Sequence, residues 1–241
     1  MISVVIPALN EEKNLPDCLT SLKNQQLNGA FELIVVDNGS VDKTSEVAEC
    51  YGATVVKCPR KGVAYARQAG AEAARGDIIA QADADTVYPA GWVNNIQTYF
   101  VTHAGSAGLA GRYEYVQSVW WLPFERAFRR VLNRVSSVFL RWPASVSGAN
   151  FAFRRSAFIR AGGYDPASLY PDQWGIARRV SRFGRVEYDH TSVVLTSSRR
   201  VAKPVYVIGY EILRNSCHVL THFLKHCVGL FTKPVVEPRV R

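Results

Sequence analysis

Through about residue 90, short apolar runs alternate with segments in which apolar residues recur at helical spacing, the pattern of an α/β sheet. Residues 2–6, 31–36, 54–57 and 77–82 are the expected strands, and 15–24, 42–51 and 63–74 the expected helices between them. Ser40 is placed to cap the second helix, with Asp42 in its first turn, where the helix dipole favours a carboxylate. Further on, residues 120–142 form an amphipathic helical stretch. Trp120, Trp121, Phe124, Phe128, Leu132, Val135 and Phe139 stand there beside Arg126, Arg129, Arg130 and Arg134. A last helical region, 205–231, mixes apolar residues with Glu211, Arg214, Lys225 and three histidines. Those charges interrupt it well short of the ~20 apolar residues needed to span a bilayer, so no transmembrane helix is expected. Residues 1–7 lack a basic leader and a long apolar core, and read as the first strand rather than a signal peptide.

In open α/β sheets, ligands collect outside the carboxyl ends of the strands. The residues of chemical interest follow strands here: Asn10 and Glu11, Asp37 to Ser40, and Asp83 to Asp85. With 241 residues and 48% hydrophobic content, the chain can bury a full core. One catalytic domain over 1–200 is expected, with a nucleotide-binding half at 1–90 and an acceptor half at 91–200. Residues 201–241 then form a C-terminal helical extension. The net charge of +9 favours polyanionic partners: nucleotides, nucleic acid or an anionic membrane. No aromatic-interleaved RNA motif accompanies it, and nucleic acid is not expected as a partner. The five cysteines contain no Cys-x-x-Cys pair, which argues against a zinc site or a disulfide framework and suits a reducing cytoplasm.

Asp83 and Asp85, separated by the small Ala84, offer hard oxygen ligands at the end of a strand. Mg²⁺ or Mn²⁺ typically bridges such carboxylates to substrate phosphates and assists a departing diphosphate. A bare Asp-x-Asp is more often a pair of solvated loop carboxylates. Asp37, after the apolar run Leu33-Ile34-Val35-Val36, can accept hydrogen bonds from a nucleobase N–H or a ribose hydroxyl; the bland alternative is an Asx-turn. Lys61 and Arg67 flank a helix start suited to a diphosphate, although surface cations are common.

The order of these fragments adds what none carries alone. Ser3-Val4-Val5-Ile6-Pro7-Ala8-Leu9-Asn10-Glu11-Glu12, Val36-Asp37-Asn38-Gly39-Ser40-Val41-Asp42-Lys43-Thr44, the run from Gly62 to Gly70, and Asp83-Ala84-Asp85-Thr86 together resemble the family 2 glycosyltransferases of GT-A fold, compact bacterial or archaeal type. The likeness continues in Ser147-Gly148-Ala149-Asn150, Gly162-Gly163-Tyr164-Asp165 and Thr196-Ser197-Ser198-Arg199-Arg200, covering about residues 2–200. It implies a Rossmann-like, mostly parallel sheet flanked by helices, and inverting transfer of a sugar from a nucleoside diphosphate to an acceptor hydroxyl. Donors linked to uridine or guanosine diphosphate, a saccharide or lipid-linked acceptor, and a role in cell-envelope polysaccharide or glycolipid synthesis are the implied partners and setting. By the same resemblance, Pro7, Leu9, Glu11 and Asp37 line the base and ribose pocket, with Lys61, Arg67 and Ala84 also on the donor side. Asp83 contacts nucleotide or sugar, Asp85 holds the metal, and Asn150 and Trp174 lie on the acceptor side.

The family's general base comes from a Glu-Asp pair opening a helix after the Gly-Gly-aromatic-Asp turn. Held in register, Asp172 falls on the Glu and Gln173 on the Asp, and a glutamine cannot take the proton. Asp172 is the candidate base, with Asp165 as a substitute and a simple N-cap as the structural reading. Arg199 and Arg200 either clamp the diphosphate or form a solvated basic turn. His190 and the trio His218, His222 and His226 read as polar surface rather than metal ligands. Two other readings are a nucleotidyltransferase, which the missing early Gly-rich loop disfavours, and a non-catalytic sugar- or nucleotide-binding module on a decayed transferase fold. The basic aromatic stretch 120–142 suits three partners: the catalytic domain itself, a second copy in a homodimer, or the anionic inner face of the plasma membrane.

Overall fold

The structure, a computed structural model, describes residues 1–27, 29–117, 120–140, 142–143, 145–165 and 172–200, without the side chains at 137–140, 172 and 200. The expected helical region 205–231 and its histidines lie outside the described residues. The chain divides into two compact units, Met1–Ser198 and Arg199–Arg241.

The first unit is built on an eight-stranded sheet in the order β3-β2-β1-β4-β7-β6-β8-β5. The strands are β1 Ile2–Ala8, β2 Phe31–Asp37, β3 Thr54–Lys57, β4 Ile78–Gln81, β5 Thr86–Val87, β6 Ser106–Tyr115, β7 Phe151–Arg154 and β8 Arg185–Thr196. The helices are α1 Leu15–Lys23, α2 Thr44–Cys50, α3 Val63–Ala73, α4 Trp92–Thr102, α5 Leu122–Leu140, α6 Arg155–Arg160 and α7 Asp172–Val180. β3, β2, β1 and β4 run parallel to one another. β7 runs antiparallel to both β4 and β6, so β6 points the same way as β4. β8 is parallel to β6, and the short β5 pairs antiparallel with β8.

β1 and β4 are almost wholly buried, as expected of central strands covered on both faces, and their continuous apolar runs reflect it. α1 buries Leu15, Cys18, Leu19 and Leu22, a single stripe at spacing 3.6, with a proline in its first turn where no backbone donor is lost. That stripe joins Ile2, Val4 and Ile6 of β1 and Trp92, Ile96 and Phe100 of α4 in one core. On the other face, α3 lies close to the sheet at Gly70. A Cβ there would stand 2.3 Å from Val5 Cγ1 and 2.8 Å from Val36 Cγ2, so the distance between helix and sheet depends on the missing side chain.

One expectation is corrected. The second helix begins at Thr44, not at 42, and Ser40 does not cap it; the residue before the helix is Lys43, whose own side chain makes no capping hydrogen bond. Asp42 precedes the helix and accepts hydrogen bonds from the Thr44 amide and hydroxyl. The local bond competes with the helix and delays its start.

Candidate active site

Three loops leave the carboxyl ends of β1, β2 and β3, and polar side chains fasten them together. Asn10, in the left-handed region at φ 55°, donates its amide to Ser40 Oγ and accepts the Val41 amide on Oδ1. The Glu11 amide reaches Thr44 Oγ1, the Glu12 amide reaches Asp42 Oδ2, and Glu12 Oε2 accepts the Lys43 amide. Asn38 ties in the third loop. Its Nδ2 donates to the carbonyls of Cys58 and Arg60 and its Oδ1 accepts from the Gly62 amide at 2.8 Å. A buried amide with both ends used fixes where α3 begins.

Asp37, the last residue of β2, is buried. Its Oδ1 accepts the Ser40 amide, while Oδ2 accepts Ser45 Oγ and Lys57 Nζ at 2.8 Å. Burial opposes its charge, yet hydrogen bonds from Lys57, Ser45 and Ser40 hold the carboxyl well below the usual carboxylate range. The carboxylate expected to face a nucleotide is thus already engaged inside the turn, and the Ser40 bond is the Asx-type contact of the alternative reading. Around it, Leu9 stands exposed, Pro7 is half-buried, Lys61 is exposed at the entry to α3, and Glu11 Oε2 accepts Asn14 Nδ2.

Asp83, Ala84 and Asp85 follow β4 after one residue, Ala82. Beneath them lies Arg67 of α3, only 4% exposed. Its Nη1 donates to Gln81 Oε1 at 2.9 Å and its Nη2 to Asp83 Oδ1 at 2.8 Å. Arg67 therefore does not stand at the surface to meet a diphosphate, as expected from sequence; it is the buried counter-charge that orients Asp83. Gly148 makes room for it, since a Cβ there would lie 2.0 Å from Arg67 Nη2. The Asp83 amide donates to Tyr88 Oη at 2.9 Å, and Tyr88 Oη donates in turn to the Ala149 carbonyl. Burial, with Cys18 and Asp83 nearby, raises the Tyr88 pKa well above its ordinary value, so the phenol stays a neutral donor. Burial beside Asp83 and Asp85 likewise raises the Cys18 thiol, whose Sγ contacts the Asp83 carbonyl. The Asp85 carbonyl accepts the Ser197 amide at 3.0 Å.

Among the described residues, no group of three or more His, Cys, Asp or Glu side chains converges as a metal cage. Asp83 and Asp85 are half-buried hard-oxygen donors beside each other. That set fits a cation of the Mg²⁺ or Mn²⁺ type, which takes one or two carboxylates and completes its shell with water and substrate phosphate. His190 is exposed on β8 and packs edge-on against Tyr188.

The residues expected on the acceptor side turn inward. Asn150 is buried: Oδ1 accepts Trp92 Nε1, while Nδ2 donates to the carbonyls of Arg112 and Ser192, filling the irregularity where the β6–β8 register shifts after Gly111. Trp174 is buried against Trp142, ring centroids 6.3 Å apart. Gln173 is buried as well, its Oε1 accepting the Tyr164 hydroxyl at 3.3 Å. Asp172 is the first residue of α7, and its side chain lies outside the described residues. The Gly162-Gly163-Tyr164 turn is held by Gln68 of α3, whose Oε1 accepts the Tyr164 amide. Arg199 and Arg200 fall in the second unit, while the arrangement around Asp85 belongs to the first. Sequence reasoning gave no role to Asn38, Tyr88 or Gln68. Asn38 and Gln68 lie inside matched segments without a role of their own there, and the partners of Tyr88 and Gln68 are distant in the chain and leave no local pattern.

Residues 3–162 match the family model described as Glycosyl transferase family 2. An uncharacterized glycosyltransferase of Mycobacterium tuberculosis is 31% identical over 188 residues, 78% of this chain and 83% of that protein. An undecaprenyl-phosphate 4-deoxy-4-formamido-L-arabinose transferase of Pseudomonas paraeruginosa is 30% identical over 173 residues, 68% of this chain but 44% of the longer enzyme. Among solved structures, the mannosyltransferase PcManGT from Pyrobaculum calidifontis, in complex with GDP-Man and Mn²⁺, superimposes with a TM-score of 0.73 at 21% identity, over 94% of this chain and 64% of that one. Glucosyl-3-phosphoglycerate synthase from Mycobacterium tuberculosis, in complex with Mn²⁺, UDP and its product, gives 0.64 at 24% identity over 87% and 75%. With the family matched over most of its length and the sheet shared with these GT-A enzymes, the chain belongs to glycosyl transferase family 2.

Proposed function

We propose that this protein transfers a sugar from a nucleoside diphosphate to an acceptor hydroxyl with inversion, in the assembly of a cell-envelope polysaccharide or glycolipid. The observation that carries the reading is the acidic pair Asp83 and Asp85 at the carboxyl edge of the sheet, with Arg67 buried beneath it. The GDP-Man named for PcManGT and the UDP named for glucosyl-3-phosphoglycerate synthase support the donor class, and the lipid phosphate in the name of the arabinose transferase supports the cell-envelope setting.

Asp85, together with Asp83, is the set that would hold a divalent cation. Bound there, the cation supplies Lewis-acid neutralisation of the departing diphosphate. Leu9 and Pro7 offer an apolar wall to the base, and Asp37 keeps the turn beside it rigid. Glu11, Lys61 and the small Ala84 border the same edge. The acceptor oxygen attacks the anomeric carbon as the bond to the diphosphate breaks, and its proton passes to Asp172. Gln173, buried against Tyr164, has no basic oxygen to take it.

Calorimetric titration with UDP- and GDP-sugars, with and without Mn²⁺, tests the donor half. Binding is expected only with the metal, and Asp85→Asn is expected to weaken it at least tenfold. Asp172→Asn should bind donor as the wild type does and lose transfer by ~10²-fold or more, the usual contribution of a general base. Metal-dependent binding that survives Asp85→Asn would overturn the assignment of the pair.

A further inference from the structure

Over most of its described length, helix α5 turns polar groups inward and apolar ones outward. Among its described side chains, the inward face buries Leu122 at the start and then Arg129, Asn133 and Ser136, with Glu125 half-buried beside them, while the outward face carries mainly apolar residues. Trp120, just before the helix, and Phe124, Phe128, Val131 and Val135 follow one another at steps of three and four, a single stripe, and each is between 47% and 77% exposed. The inward face is held by polar contacts. Arg129 stacks on the Tyr113 ring, its guanidinium 4.0 Å from the centroid, and pairs with Glu125 at 3.2 Å. Asn133 receives the Ser145 amide on Oδ1. A helix normally turns its apolar stripe to the core, because burial yields about 25 cal/mol per Å². Here ionic and hydrogen-bonding groups are buried and the stripe is left outside.

Two further observations choose what covers it. Arg130 and Arg134, both exposed, line one flank of the stripe, and no Asp or Glu lies on the outward arc. A second copy of the same face would bring no carboxylate to those guanidinium groups, whereas an anionic lipid surface offers phosphates at the rim of an apolar interior. The location agrees. β6 points the same way as β4, so the segment leading into α5 leaves the sheet at the edge that carries Asp85. There the Val116 amide bonds to the Thr196 carbonyl, and the next amide, that of Ser197, bonds to the Asp85 carbonyl.

We propose that the outward face of α5 is an interfacial membrane-docking surface: Trp120, Phe124, Phe128, Val131 and Val135 enter the headgroup region of an anionic membrane, with Arg130 and Arg134 on lipid phosphates. Resting on the function proposed above, this makes the acceptor a lipid-linked one, presented from the bilayer to the carboxyl edge of the sheet.

The test is co-sedimentation of the full-length protein with vesicles of phosphatidylcholine alone and of phosphatidylcholine with 30% phosphatidylglycerol, percentages chosen to resemble a moderately anionic surface (about a third anionic lipid). The protein is expected to pellet with the anionic vesicles at least tenfold better than with neutral ones. Phe124→Ser with Phe128→Ser should abolish this, and Arg130→Gln with Arg134→Gln should remove the preference for anionic lipid. Both pairs should leave Mn²⁺-dependent nucleotide binding intact, which shows the variants folded and separates this inference from the donor assignment. Vesicle binding without nucleotide binding would sink the proposed function and leave the docking surface standing. Equal sedimentation of wild type and both variants would overturn the proposal. So would a dimer in solution that dissociates in the phenylalanine variant without any vesicle binding, since a second copy would then occupy the face.

Discussion

The guanidinium of Arg67 has almost no contact with water, and it donates to both Gln81 and Asp83. Arg67→Met keeps an unbranched stem in the space beside Gly148 but removes the cation that Asp83 faces. Breaking a buried pair from one side costs ~3–5 kcal/mol, and because Asp83 is partly solvated the expected loss is the smaller ~2 kcal/mol. Urea unfolding checks the stability, and titration with nucleotide and Mn²⁺ should show binding weakened about tenfold; unchanged binding would mean that Asp83 needs no support from below. Asp37 makes a different prediction. Its carboxyl titrates below the ordinary range in the folded protein, so its contribution to stability is present above about pH 4 and is lost as the pH falls from there toward the lower folded value. Asp37→Asn should therefore be less stable than wild type at pH 7, with the gap closing at pH 3 and below. Melting temperatures at pH 7, 5 and 3 give the comparison, and a gap independent of pH would show that the charge is not what the turn uses. At this scale the sequence singled out Asp37, Asp83 and Asp85 as carboxylates at or just beyond strand ends, while the burial of Arg67, Asn150 and Trp174 was not legible in it. A cation within a helix, or an amide just before a strand, looks the same in sequence whether it faces solvent or a buried partner sixteen or about forty residues away.

The parallel strands and their helices were legible because each carries its own period: β1 as a continuous apolar run, α1 as a stripe of Leu15, Cys18, Leu19 and Leu22. The start of α2 was not, since Asp42 can serve either as a helix-dipole partner or as a local acceptor, and only the position of Thr44 decides between them. β7 and the bulged pairing of β6 with β8 were equally hidden, being fixed by partners far away in the chain. The contact of α3 with β1 and β2 gives the sharpest expectation for an element. Gly70→Ala places a methyl within 2.3 Å of Val5 Cγ1, in a layer with no room to relax, and should cost ~1–3 kcal/mol by overpacking. The shift would lift α3 and Arg67 with it, so unfolding midpoint and nucleotide affinity should fall together. An alanine variant as stable as wild type would show that the helix is free to move outward.

For the whole molecule, hydrophobic content pointed to a chain able to bury a full core, the alternation of apolar runs and helical periods pointed to an α/β sheet, and the ordered motifs pointed to its family. No composition could show that α5 is turned outward, because an amphipathic pattern states that a helix has two faces and not which one meets the protein. Where β7 sits has a consequence for the nascent chain. The first four strands are complete by Gln81, but β4 gains its second neighbour only when Phe151 to Arg154 arrive, seventy residues later. At synthesis rates of ~5–20 residues per second, β4 waits roughly 4–14 s with its row of amides and carbonyls unpaired. Such an open edge invites pairing with other chains. The N-terminal half is thus assembled early but sealed late, and the interval between is when a ribosome-associated chaperone would matter most to this protein.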